Sequence, residues 1–460
     1  MEQDNSKNSP WLVDFDEEVT TDILELIHSR SDILLLNILN DLYPADIANI
    51  INRLEVSEAD YVFNLLPSDD SSKVIVELRE DYREHFLQTL SQKKLSELVD
   101  EMPSDNAAGI MRELSDERAT RVLEEMSDTS SEEVQDLLQY KEKTAGGIMQ
   151  KEAVTVFVNE TVKKAIQAVR KWSKTIENIH VVYVLDENNH LVGSLSVGSL
   201  ILLSPNRKIR NVMESDILSV LPDVDQEEVA RMFEKYDIVS LPVVDEEKNL
   251  LGKIAIDDIV DVFEAEHAED VARLVGSDAD ELELKSPTQI ALLRLPWVLL
   301  TLFIEMFAGV VISQFNATLS KVILLASFMP IISAISGNTG LQSAAIIVRG
   351  IATGNIDIKK WWEPLIRQFQ TTLIIGFVCA TVIGTVASMW HGNIIFGVVV
   401  GVSMFISINI SGLVGTSMPM ISKRFGFDPA ITTGPFETAF QDVVGITIFL
   451  SIATLLLRWL

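Results

Sequence analysis

The chain has 460 residues, enough for several domains, and a formal net charge of −30. That charge is segregated: 61 of the 67 acidic residues and 28 of the 37 basic ones precede position 286, a net of −33 there against +3 in the remainder. So acidic a region argues against nucleic acid or anionic lipid as partners and points to cations, while the single cysteine, Cys379, excludes an intrachain disulfide and suits a reducing compartment.

Residues 1–20 are polar and acidic and are expected to be a disordered lead-in or a short helix. They hold no basic stretch followed by an apolar one, so a cleaved secretion signal is not expected. Residues 21–145 form the next segment, in which apolar residues recur at three- and four-residue intervals up to Gln139, the helical period. Pro44, Pro67 and Pro103, each followed by Asp within two or three residues, break the pattern. Proline in a first turn and an acid near the positive helix end both favour a helix start, and helices are expected over 47–54 and 106–114. The segment reads as an irregular solenoid of helix pairs.

Over residues 146–256 the period changes. Strands are expected at 154–158, 180–185 and 191–195, then again at 218–221, 240–244 and 251–256, with helices over 162–172 and 227–236. Asp186 and Asp245, and likewise Gly193 and Gly252, stand 59 residues apart. Two β-α-β-β-α copies that cannot each bury both faces should pack as a pair. This tandem resembles a pair of CBS domains, modules that often bind adenine nucleotides through a Gly-hydrophobic-hydrophobic-Ser/Thr-x-x-Asp turn. The second copy has Gly252, Ala255 and Asp258, without the hydroxyl; the first has Gly193, Ser196 and Ser199, without the acid. Each departure weakens ribose recognition, so ATP is a secondary expectation.

Residues 257–290 connect this part to the membrane. In Asp257–Asp270 seven of fourteen residues are acidic and none is Lys or Arg. Acids one turn apart repel by a few tenths of a kcal/mol in water, and a bridging divalent cation would relieve that repulsion.

Residues 291–460 carry five apolar runs, at about 296–315, 322–348, 369–390, 394–421 and 432–460. Arg294, Arg349, Lys359, Lys360, Arg367, Lys423 and Arg424 flank them on one side, Lys321 and Arg458 on the other. The excess of positive charge places the first side, and the acidic domains, in the cytosol, with the C-terminus external. The last run holds Asp442 well inside its length. An ionisable group near the bilayer centre costs about 2.5–3.5 kcal/mol and needs a counter-charge or a water-filled path. Gly434 and Pro435 break the helix before it, which frees backbone carbonyls to line a cavity. Ser333, Ser336, Asn338 and Gln342 in the second span, and Ser407, Asn409 and Ser411 in the fourth, add polar groups. Glu305 and Glu437 are further intramembrane acids. About 100° per residue puts Glu437 about 140° around the helix from Asp442, so the two need not share a site.

The order of helical repeats, two CBS-like units, an acidic connecting helix and five spans resembles the MgtE family of magnesium channels. Specific signals are Arg294-Leu-Pro-Trp297, Gly337-Asn-Thr-Gly-Leu-Gln-Ser343, Val348-Arg-Gly350, Phe427-Asp-Pro-Ala430 and the stretch from Gly434-Pro435 to Asp442. The resemblance implies a homodimer in the cytoplasmic membrane, with a Mg²⁺ pore between the membrane domains that cytosolic Mg²⁺ closes. It makes Asp442 the pore acid, with Thr438 and Gly434 one and two turns before it and Glu437 beside them. It assigns regulatory Mg²⁺ to Asp105, Asp225, Glu227, Asp237, Asp258, Asp261, Glu266, Glu269, Asp270 and Asp428. Glu305, Glu437 and Gln441 depart from the apolar or small residues usual in the family, and Gly109 stands where a second carboxylate is common. No P-loop, metal-ligand histidine spacing or nucleophile–histidine pairing suggests an enzyme. A cation-coupled exchanger using Glu305 or Glu437, and a nucleotide-sensing membrane protein, are the alternatives.

Overall fold

A computed structural model describes residues 17–174, 176, 178–277, 286–430, 433–456 and 458. Most of the expected lead-in, part of the connecting segment and the start of the last apolar run at 432 lie outside the described residues. The chain divides into two compact units, one through Val262 and one from Phe263 onward.

The first unit opens with α1 (Glu17–His28), α2 (Asp32–Leu39), α3 (Pro44–Ile51), α4 (Val56–Leu65), α5 (Ser68–Val76), α6 (Glu80–Thr89), α7 (Gln92–Asp100), α8 (Ser104–Glu113), α9 (Asp116–Glu125) and α10 (Asp128–Leu137). The helices expected over 47–54 and 106–114 begin a few residues earlier. Pro44 is already in the first turn of α3, and Pro103 is the N-cap of α8. Helix α3 stacks on α5, α5 on α7, and α7 on α9. Hydrogen bonds between successive repeats have a near-constant period: Tyr82 Oη donates to the Leu54 carbonyl, Arg118 Nη1 to that of Gln88, and Ser127 Oγ to Asp100, across 28, 30 and 27 residues. A repeat that contacts only its neighbours defines a solenoid. Stacked Phe63 and Phe86, with ring centroids 4.2 Å apart, fill its core.

Next come β1 (Thr155–Phe157), α11 (Val162–Trp172), β2 (Val181–Leu185), β3 (Leu191–Ser196) and α12 (Val197–Leu202), with β1 parallel and β3 antiparallel to β2. The second copy has α13 (Gln226–Tyr236) and the antiparallel pair β4 (Ser240–Val244) and β5 (Leu250–Ala255). The strand expected at 218–221 is reduced to a single bridge, Val220 to Val243. Pro222 closes the run and has no N–H to extend a ladder. The 59-residue glycine repeat has a packing cause. A Cβ on Gly193 would lie 2.6 Å from the Glu214 carbonyl and one on Gly252 2.5 Å from that of Gln150, closer than atoms pack. Each copy's sheet is thus covered by the segment leading into the other copy, through the bridges Ser194–Glu214 and Gln150–Lys253. Neither copy is complete alone. Tyr183 Oη and Ser240 Oγ, 2.7 Å apart, tie the two together.

Helix α14 (Ile256–Leu274) contains the acidic stretch and runs a turn beyond Asp270.

The second unit contains α15 (Pro287–Gln314), the short α16 (Asn316–Leu319), α17 (Leu325–Ala352), α18 (Trp362–His391), α19 (Ile394–Arg424) and α20 (Pro435–Leu455). All but α16 are long and apolar enough to cross a membrane. Helix α15 starts nine residues before the expected Pro296, because Pro287 supplies a first-turn proline and Pro296 is carried inside the helix. Helices α18 and α19 form a hairpin through Gly392, whose φ of 70° is left-handed. Their backbones approach closely at small residues, since a Cβ on Gly384 would lie 2.8 Å from the Gly397 carbonyl. Helix α20 packs against α15, α17 and α19, with Phe449 and Leu450 fully buried.

Candidate ion-binding site

The start of α20 sets the site. Gly434 is its N-cap, with φ 74° and ψ −131°, and Pro435 follows in the first turn. The last apolar run is therefore broken where the sequence places the break, and the helix begins at 435. Thr438 Oγ1 donates to the Gly434 carbonyl at 3.1 Å. One turn further on, Asp442 Oδ1 accepts from Ser333 Oγ of α17 at 2.5 Å. Glu305 of α15 also interacts with Asp442. The partners of Asp442 among the described residues are thus a hydroxyl and a second acid, not a base. Opposite lies Gly337, where a Cβ would sit 3.3 Å from Thr438 Cγ2 and 3.8 Å from Asp442 Oδ1. Glycine at this point lets α17 approach Thr438 and Asp442 closely; both are half-buried, whereas Gly434 is buried.

Glu437 and Gln441 lie on a different face of α20. Both are 1% exposed. Glu437 turns toward Gly340 of α17 and Ser411 of α19, because a Cβ on Gly340 would collide with both side chains. The family resemblance sets Glu437 beside the pore acid, whereas the structure turns its carboxylate into the bundle of its own chain.

Where α14 ends, Arg273 pairs with Glu269 and with Asp428, and Asp428 Oδ1 accepts the Ala430 amide at 2.8 Å. The carbonyls of Arg273 and Leu274 lie over Gly434, so a Cβ there would strike the Leu274 oxygen. The end of the acidic helix thus abuts the start of α20.

A second acidic group lies in the first unit. Gln150 Nε2 faces Asp105 Oδ2 at 3.2 Å and both oxygens of Asp258 at 3.2 and 3.1 Å. Lys253 Nζ holds the other end of the same amide at 2.9 Å. Next to Asp105, Ser104 donates its N–H and hydroxyl to Glu152, at 2.9 and 2.6 Å. Burial raises the Asp105 carboxyl above the usual range, and Glu152 adds to it. Burial raises Asp258 as well, followed by the charge of Asp105. Asp105 Oδ1 is shut off from solvent and, among the described residues, has no hydrogen-bond partner. Burial and then Asp261 raise Glu77. Sequence analysis named Asp105, Asp258 and Asp261 but missed Gln150, Glu152 and Glu77. A lone glutamine after a Gly-Gly turn and an acid ending a repeat helix carry no spacing signal.

The other named acids are spread out. Asp225 accepts the Glu227 amide as N-cap of α13, Glu227 pairs with Arg231 at 2.9 Å, and Asp237 ends that helix with a left-handed φ of 51°. Asp225 and Asp237 therefore stand at opposite ends of one helix. Among the described residues no three His, Cys, Asp or Glu side chains come together as a metal cage.

Fold and site together define a multi-pass membrane protein that carries a helical-repeat domain, a CBS pair and an acid-bearing terminal span. Residues 329–452 match the family described as MgtE, divalent cation transporter; 42–143 match the MgtE intracellular N domain; 145–205 and 209–265 match CBS domains. The magnesium transporter MgtE of Bacillus subtilis is 34% identical over 91% of this chain and 93% of its own, and that of Thermus thermophilus 35% identical over 71% and 73%. The chain belongs to the MgtE family. Among solved structures, the soluble part of a magnesium transporter aligns at TM-score 0.51 and 27% identity over 54% of this chain and 98% of its own. The cytosolic domain of the Mg²⁺ channel MgtE in complex with ATP aligns at 0.51 and 30% over 53% and 99%.

Proposed function

We propose that this chain is a Mg²⁺ channel of the cytoplasmic membrane, working as a homodimer, and that the face of α20 bearing Gly434, Thr438 and Asp442 lines its pore. The observation that carries the reading is Asp442, an intramembrane acid that among the described residues meets a hydroxyl and other acids, and is half-buried. Mg²⁺ dehydrates reluctantly and keeps most of its waters, so one carboxylate per chain, facing its copy across a twofold axis, suits the hydrated ion better than a closed cage. Exposed Leu302, Phe303, Met306 and Phe307 on α15 supply apolar surface for lipid or the second copy. Transport without catalysis is part of the proposal, as are cytosolic acidic domains and an external C-terminus.

We assign regulatory Mg²⁺ first to Asp105 with Asp258, and to Asp261 with Glu77. An orphaned carboxylate oxygen beside a second carboxylate is a donor set of hard oxygens, which fits this ion. When bound, Mg²⁺ would supply positive charge between these paired acids. Until then the Gln150 amide, braced by Lys253, holds the pair together. Glu266 and Asp270 carry the same assignment on α14. Asp225, which caps α13, Asp237, which ends it, and Glu227, Glu269 and Asp428, which pair with arginines, carry it second. ATP enters only as a weak ligand of the CBS pair, since Ser199 and Ala255 replace two of the residues that hold ribose.

Mg²⁺-limited growth tests the pore. A magnesium-auxotrophic strain carrying the wild type should take up Mg²⁺, and one carrying Asp442→Asn should not, at equal protein in the membrane. Uptake that survives the substitution would remove Asp442 from the path. Flux in liposomes that is indifferent to an imposed Na⁺ or proton gradient separates a channel from a coupled exchanger.

A further inference from the structure

The inner face of α20 carries Glu437, Gln441 and Gly445 at intervals of four residues, about 6 Å apart along the helix. Glu437 is 1% exposed and, among the described residues, its carboxylate meets no base: the neutral Gln441 side chain one turn on interacts with it, without a well-formed hydrogen bond to either oxygen. Gln441, also 1% exposed, has an unpartnered Nε2, and Ser407, which faces Gly445, has an unpartnered hydroxyl. Buried polar atoms in a membrane bundle normally find partners; these lie together on one side of α20, apart from His391 Nδ1 at the end of α18, which is also unpartnered among the described residues. Exchange of the Gln441 amide atoms, which hydrogen-bond networks rather than densities assign, would turn its oxygen into the space its Nε2 now faces. The Ser411 hydroxyl, which donates to the Ser336 carbonyl, and the Glu437 carboxylate both lie over Gly340.

We propose that Glu437, with Gln441 and Ser411, forms a site for a dehydrated monovalent metal cation, with Na⁺ as the ion of matching size, inside each chain and separate from the face of Asp442. One negative charge among neutral oxygens balances one positive charge. The tight packing over Gly340 leaves no room for the water shell that Mg²⁺ retains. The site needs no second copy and does not depend on where the pore lies.

Binding of radioactive sodium to the purified full-length protein, in choline chloride and without Mg²⁺, tests the assignment. Wild type should bind Na⁺ saturably, and its melting temperature should rise with Na⁺ but not with choline. Glu437→Gln, checked for a monodisperse elution profile, should lose both responses, and Gln441→Leu should weaken them. Asp442→Asn should keep them. Absence of saturable binding in the wild type, binding that survives Glu437→Gln, or binding lost in Asp442→Asn but kept in Glu437→Gln would each overturn the assignment. So would an infrared band of a protonated carboxylic acid that Glu437→Gln removes and that Na⁺ leaves unchanged.

Discussion

Lys248 and Asn189 occupy equivalent turns of the two CBS copies, and each has a left-handed φ of 68°. Asparagine tolerates this region, whereas a lysine pays about 1 kcal/mol for it. Lys248→Asn should therefore stabilise the pair by about that amount, seen as a rise of a few degrees in the CBS melting transition; a fall would mean the lysine side chain does something the turn needs. The same turns respond to pH. Asp186 is held below the usual carboxylate range chiefly by the His190 amide, and Asp245 chiefly by the Asn249 side chain. For groups with depressed folded values, the stabilisation is present above the unfolded value, near 4, and is lost as pH falls through the folded one. Amide exchange at Asn188 and Asn249 should accelerate only below about pH 4 in the wild type, and in Asp186→Asn and Asp245→Asn that step should vanish. Both aspartates were legible as a repeat at 59-residue spacing. Their role as turn acceptors was not, because spacing reports position and not which amides fall within reach.

Helices with a strong period and a clear break were the most legible elements. The five spans, the acidic helix and the break at Gly434-Pro435 follow from hydropathy and from proline and glycine chemistry, which act locally. The strand expected at 218–221 fails because apolar alternation marks a face but does not supply a partner with the right edge. The Gln150 bridge was invisible for a related reason: Asp258 lies 108 residues from it. Similarly, the 140° offset of Glu437 from Asp442 was readable, but not which helices it faces. At the start of α20 the geometry makes a direct prediction. Gly434→Ala places a Cβ on a left-handed residue and against the Leu274 carbonyl, a cost of about 1–2 kcal/mol. The end of α14 should loosen from α20, and if that contact restrains the closed pore, Mg²⁺ leak at saturating Mg²⁺ should rise about tenfold for each 1.4 kcal/mol. Liposome flux measures the leak, and an unchanged leak with faster exchange at Leu274 would limit the contact to structure.

Taken whole, the molecule separates its charge from its apolar surface, and long averages of this kind survive any detail of packing. That is why the module order was legible from composition and period alone. A net of −33 before residue 286 repels itself, and at 0.15 M salt the screening length is about 8 Å, so only neighbouring acids feel one another strongly. Asp105 with Asp258 and Glu77 with Asp261 are such neighbours, each brought together from the helical repeats and the start of α14, far apart in sequence. A divalent ion can shift a conformational equilibrium only by binding one state more tightly. If the state with these acids adjacent is that state, Mg²⁺ should protect the 140–290 region from protease over the same range in which it lowers flux. Protection should fail in Asp105→Asn/Asp258→Asn, where the charge that demands the ion is gone and the Gln150 contacts can persist. KCl at matched ionic strength should not substitute, since screening weakens repulsion without bridging any pair. Equal protection by KCl would reduce the effect to bulk screening, and protection that remains in the double variant would move the sensing acids elsewhere, with Glu266 and Asp270 of α14 the next to replace.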